Sequence, residues 1–253
     1  MFPAQKLLFK KICLAERDPC FTIYNMKRIY LLLGLFLFSC SRGGRVDYFP
    51  LQLGNRWTYQ LYSMQKGWKT AKRYVDSKAE IKGMQVYRLK NTFFPDYFLV
   101  SDSTGVRAYG ADMKTRGRDF VDNSIVVYSE PDTWLLYPLE VGKKWGGSYY
   151  FEKDIKKDGK LRTEVKYQVS VLDKGTVQAG KRKYKNSYKV RYREIITLMV
   201  IDSSGVHADV DTSEYTVWYA PRVGPVVIEG FGYLEDFVRG NPELEKIRDS
   251  GSQ

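Results

Sequence analysis

One histidine in 253 residues, and three cysteines of which two precede an apolar segment, leave little material for metal or nucleophilic chemistry. His207 stands alone in SSGVHADVDTSE, a polar stretch that reads as a turn, and one imidazole cannot build a histidine-rich zinc site. A triad would need the fold to bring a serine and an acid to it. Asp202, Asp209 and Asp211 lie nearby but lack the regular ligand spacing of an EF-hand, so no calcium site is expected. The adjacent carboxylates Glu235 and Asp236 should point apart on a strand, which suits solvent better than acid–base hydrolysis. Neither a glycine-rich phosphate loop nor a nucleophile elbow occurs. The expectation is therefore no catalytic residue, no metal and no cofactor, with an envelope hydrolase as the weaker alternative.

Long apolar runs are also lacking. The longest, Ile29 to Phe38, is half of what a membrane span needs but fits the core of a secretion signal. Lys27 and Arg28 precede it as a basic flank, and it ends in Leu37-Phe38-Ser39-Cys40. That ending resembles the bacterial lipobox, and the resemblance implies cleavage between Ser39 and Cys40 with a diacylglycerol, and then a palmitate-like chain, on Cys40. The residue types suit the chemistry. A thiol takes the lipid, a small residue lets the peptidase reach the bond, and the apolar segment holds the site at the membrane face. Each buried acyl methylene contributes about 0.8 kcal/mol, so one chain anchors marginally and two or three anchor stably. The competing reading, a free thiol after a buried helix, has no use for the flexible tether Ser41-Arg42-Gly43-Gly44-Arg45 that follows at once.

Residues 1–25 put Cys13, Cys20 and several charges ahead of a segment that should begin an exported protein. Met26 is thus the expected start and 1–25 a gene-model extension; the alternative is a long basic leader. Ser41 rather than aspartate after Cys40 fits outer-membrane sorting under the rule of enteric bacteria. The expected location is the cell envelope, lipid-anchored, on the outer membrane facing the periplasm.

The formal charge is +12, and the six basic and two acidic residues before Cys40 leave +8 for the remainder. Basic residues alternate with aromatics and acids in KRYVDSKAE and YKVRYRE, as on a solvated sheet face, so nucleic acid is not an expected partner. Past Cys40 there is no further cysteine, which excludes a disulfide or a thiolate cluster within the mature monomer.

From Trp57 onward short alternating runs are broken by turn residues, the pattern of an antiparallel meander. RWTYQLYSM, TAKRYVDS, MQVYRLKNT, DYFLVSD and VRAYG read as strands, separated by Gln65-Lys66-Gly67, Ile81-Lys82-Gly83 and Asp102-Ser103-Thr104-Gly105. Residues 110–124 are weakly patterned and read as a long loop or lid. Strands resume with WGGSYYFEKDI, a Lys156-Lys157-Asp158-Gly159 turn, LRTEVKYQVSVLD and KNSYKVRYREIITLMVID. After a Ser203-Ser204-Gly205 turn come SEYTVWYA and GPVVIEGFGYLEDF, and the charged tail ends in a helical turn at most.

PLQLGNRW at 50–57 and PLEVGKKW at 138–145 share proline, leucine, glycine and tryptophan at identical spacing, which suggests two related halves. In a structural reading the glycine turns the chain and the tryptophan plugs the end of a sheet as its first strand starts. In a functional reading Trp57, Trp145 and Trp218 contact an apolar ligand.

Three segments, YFPLQLGNRWTY, TVQAGKRKYKNSYKV and WYAPRVGPVVIEG, resemble a loose group of uncharacterised bacterial lipoproteins. In the middle one Val177, Ala179, Gly180, Tyr184, Tyr188, Lys189 and Val190 match the group's pattern. Lys181 to Lys183 are more basic than usual, and Arg222 stands where the group has glycine. The resemblance covers most of the chain beyond Cys40 and implies a curved antiparallel sheet or half-barrel, with no activity attached. A remoter similarity, of architecture only, is to carriers that hold lipids inside an open β-barrel.

The reading is a mainly β chain with a signal at 26–39, a lipidated tether at 40–47, β halves at 48–135 and 136–240, and a tail at 241–253. Its expected role is that of a membrane-anchored envelope lipoprotein with a binding or structural domain whose partner is a lipid or envelope protein. An apolar-ligand carrier is the alternative, recognisable by a cavity lined with Trp, Tyr and Phe.

Overall fold

A computed structural model describes residues 46–64, 67–113, 125–155 and 159–240. Ser39 and Cys40 of the expected lipidation site, the segments 1–25 and 26–39, most of the expected 110–124 loop, Gln65, Lys66, Lys156 to Asp158 and the tail lie outside the described residues. Among those described, twelve strands form one antiparallel sheet and no helix occurs.

The first six are β1 (Arg56–Ser63), β2 (Gly67–Ile81), β3 (Met84–Asn91), β4 (Asp96–Ser101), β5 (Gly105–Asp112) and β6 (Ile125–Leu136). The second six are β7 (Lys144–Ile155), β8 (Gly159–Ala179), β9 (Arg182–Asp202), β10 (Gly205–Ala220), β11 (Gly224–Ile228) and β12 (Gly232–Val238). Each set is a meander, and β12 pairs with β1, giving the order β6-β5-β4-β3-β2-β1-β12-β11-β10-β9-β8-β7. The two halves therefore belong to one sheet.

The ends of that order, β6 and β7, come back together. The Tyr150 amide donates to Ser129 Oγ at 2.9 Å, Trp145 Nε1 to the Thr133 carbonyl at 2.9 Å, and the Thr133 amide to the Tyr167 hydroxyl at 3.0 Å. Tyr128 and Tyr149 stack across the same gap with centroids 4.4 Å apart. The sheet is thus a nearly closed barrel whose seam is held by side chains rather than by a ladder, which shields two edges that would otherwise be free to pair.

Local chemistry explains the turns. Lys82 and Gly83 both take positive φ, 51° and 74°, as a two-residue hairpin of that hand requires. Asp102 Oδ1 accepts from the Thr104 and Gly105 amides at 2.7 and 3.1 Å, which fixes the β4–β5 turn. Arg222 has φ +62°, a left-handed conformation that glycine adopts freely, so the turn is made at a side-chain cost.

One segment differs from its sequence reading, and one strand carries a residue that strands usually exclude. SSGVHADVDTSE is not an irregular turn: from Gly205 it is strand β10, with His207 paired to Val200 of β9. Its first eight residues are exposed on both faces, so no apolar alternation marked it; the backbone ladder alone holds it in place. IVVYSEPDTWLL forms β6 despite Pro131, which sits where the β5–β6 register slips between Ala108 and Gly110. A proline is tolerated at such an irregularity on a strand without a second ladder.

Inside the barrel, Trp57, Tyr59, Leu89, Leu99, Leu135 and Leu234 are fully buried. The segment preceding β1 supplies the plug. Phe49 packs against Trp57 of β1, Trp134 of β6 and Tyr219 of β10, with centroids 5.8, 5.9 and 6.5 Å away. A residue that reaches three separated strands must lie inside the ring they make, and it forms the floor of the space above.

Candidate functional site

Above that floor the barrel is hollow. The cavity has a volume of about 630 Å³, within the range of small-molecule sites. Its walls are mostly aromatic: Trp134 from β6, Tyr97 from β4, Tyr192, Tyr215 and Tyr219 from β9 and β10, and Phe49 below. Phe93 and Phe94 from the β3–β4 turn and Phe231 from the β11–β12 turn stand at the rim.

These rings are locked to one another. Tyr97 meets Trp134 edge-on at 5.0 Å, and Tyr192 stacks on Tyr215 at 5.0 Å and 12°. The Tyr192 hydroxyl lies 2.9 Å from both the Trp134 carbonyl and the Tyr219 hydroxyl, tying β9 to β6 across the interior. Burial pushes the Tyr219 phenol up to about 12, partly offset by that bond, so it stays neutral.

Two carboxylates break the aromatic wall. Asp132 of β6 accepts from Trp134 Nε1 at 2.8 Å, and Glu194 of β9 accepts from the Tyr215 hydroxyl at 3.0 Å. Burial is the main cause that raises both; it pushes Asp132 up to about 7, against the Trp134 hydrogen bond and with help from the charge of Glu194. Asp132 is half-buried because it faces the hollow, not bulk water. On the other wall are two cations of β2. Lys69 is half-buried and lies over Phe93 at 6.0 Å, while Arg73 stacks between Tyr59 and Phe94 at 5.5 and 5.3 Å.

No protein-family model and no curated protein matches the sequence. A solved structure aligns with it: a Bacteroides fragilis protein named as exported, on a provisional assignment, and as having a YmcC-like fold. The identity is 15%, the match spans 77% of this chain and all of that one, and the TM-score is 0.43. A superposition of that quality carries no argument about fold or function, and the architecture rests on the strands themselves.

The tryptophans singled out from the sequence lie elsewhere. Trp57 is 1% exposed beneath the floor, donating from Nε1 to the Val223 carbonyl at 2.6 Å. Trp145 closes the β6–β7 seam, and Trp218 donates to Glu229 at 3.0 Å under the Lys189 ammonium. None of the three is among the described lining residues, whose indole is that of Trp134. The fold does bring Ser204 Oγ to 3.2 Å from His207 Nε2, with Asp202 Oδ1 2.5 Å from that hydroxyl. The order is wrong for a relay, since the acid holds the serine and not the imidazole, and all three stand at an open hairpin tip. Glu235 is engaged by Gln60 and Asp236 by Arg182.

Sequence reasoning missed Asp132 and Glu194. Asp132 sat in a stretch with no strand pattern, and Glu194 in YREIITL reads as one of many wet-face charges. The available signal was Asp132-Thr133-Trp134, a carboxylate two residues from an indole and therefore on the same strand face.

Proposed function

We propose that this chain is a lipid-anchored envelope protein whose barrel binds an apolar or amphiphilic small molecule, and that it works by binding rather than by catalysis. The observation that carries the binding role is the aromatic hollow of about 630 Å³, too large to be a packing defect and walled by mutually locked rings. The lipobox-like Leu37-Phe38-Ser39-Cys40 supports the anchor.

Val46 to Gln253 is a compact unit, so a protein beginning at Gly43 retains the barrel. Native mass spectrometry of that unit from a bacterial envelope should show a population heavier by one small molecule. A bare mass alone, after gentle extraction and at every collision energy, overturns the carrier role. The anchor is tested separately: Cys40→Ser should abolish incorporation of labelled palmitate, and equal labelling of both proteins, or of neither, rejects it.

The raised Asp132 and Glu194 give a hydrolase reading one observation of its own. It requires a bound molecule to be cleaved on incubation, which the same spectra would report.

A further inference from the structure

The hollow has a chemical polarity that narrows what it can hold. Asp132 and Glu194 face it from β6 and β9, and among the described residues neither comes within ion-pair distance of a lysine, arginine or histidine. Among the described residues each takes one hydrogen bond, from Trp134 and Tyr215 respectively, so both retain acceptor capacity. A buried carboxylate without a cation is costly, and the cost falls when a positive group arrives. Rings beside the pair add to this, because an indole or phenol face attracts a cation as well as apolar carbon.

Resting on the binding role proposed above, we infer that the barrel's ligand carries a cationic nitrogen, an ammonium on an apolar body, seated against Asp132 and Glu194 beside the rings of Trp134 and Tyr215. The apolar body then lies along Phe49, Tyr97 and Tyr219. An anionic head would meet like charge at this wall and would have to settle at Lys69 and Arg73. Those cations already lie over aromatic rings, so they gain less from an incoming counter-ion.

Three probes of equal chain length separate the cases: octylammonium, octanol and octanoate. They are titrated calorimetrically into the full chain held in phospholipid nanodiscs, with empty discs as the blank. Octylammonium should bind at least about tenfold more tightly than octanol, the effect of one charge-assisted contact in a water-poor site, and octanoate more weakly than either. Asp132→Asn and Glu194→Gln should each reduce the ammonium-to-alcohol ratio. If a variant does not fold, the ratio in the parent protein still decides. Octanol equal to octylammonium, or octanoate tightest, overturns the cationic ligand while leaving the carrier role standing. Binding of none of the three overturns both.

Discussion

The two copies of the Pro-Leu-x-x-Gly-x-x-Trp signature fold alike at the backbone and end up in different surroundings. Gly54 and Gly142 have φ of +83° and +89°. Their amides donate to Val75 and Val171, both at 2.9 Å, and those valines donate back to Asn55 and Lys143, again at 2.9 Å. Even the side chains correspond, since Asn55 Nδ2 and Lys143 Nζ each reach the carbonyl of the signature's proline at 2.9 Å. The second strand of each half then bulges directly after its valine. Yet Leu53 is 4% exposed and its counterpart Val141 57%, and Trp57 is buried where Trp145 is half-buried. β1 has ladders on both sides, from β2 and β12, while β7 has one, from β8. Local sequence determines the turn; place in the strand order determines what the turn's residues are for.

Removing the indoles should sharpen that contrast most. Trp57→Ala leaves a large void and loses the bond to Val223, so a loss of about 3–5 kcal/mol is expected in denaturant unfolding. Trp145→Ala loses partial burial and the bond to Thr133, about 1–2 kcal/mol. Equal losses would mean the two sites are equivalent after all.

The halves also differ in how charge is used. In the first, Arg88 of β3 bonds Asp96 and the 2%-exposed Asp112 at 2.9 and 2.6 Å, pinning three short strands. In the second, Arg162 pairs with Glu152 and Glu164 on the outside of long hairpins. Arg88→Ala should cost about 3 kcal/mol because it removes the guanidinium that bonds the buried Asp112 and ties β3 to β4 and β5, and Arg162→Ala much less, because its pairs are open to solvent. The same unfolding curves report both.

Asp132 tests the cavity wall that the halves share. It faces Glu194 and the phenols of Tyr97, Tyr128, Tyr149, Tyr192, Tyr215 and Tyr219. Its folded value of about 7 lies above the ordinary 3.8, so between those limits the folded chain holds a proton that the unfolded chain has lost. The stability owed to that proton is full below pH 4 and is lost as pH rises through 7. Asp132→Asn should therefore stabilise the protein at pH 8, by up to about 4 kcal/mol, and lose that advantage near pH 4. Melting curves at the two pH values, taken without ligand, give the comparison.

Much of the architecture was legible because its signals are local. Alternation marked β1 to β5, and glycine with a polar neighbour marked the turns. What escaped depended on partners far along the chain. Residues 205–212 are exposed on both faces and are a strand only because β9 runs alongside; β6 hides a proline at a register slip. The hollow was anticipated as a kind of site, but its members were not. Trp57 looked available because a spacing pattern cannot tell a floor from a wall, whereas Trp134 and Glu194 face the hollow through barrel closure between β6 and β7, which no single segment encodes.

Contact quenching by 8-bromo-octanol decides most directly whether the aromatic hollow is where an apolar molecule goes. Saturable quenching of the parent protein should largely disappear in Trp134→Phe and persist in Trp218→Phe. Quenching that survives in Trp134→Phe, or that rises linearly without saturating, would contradict the account.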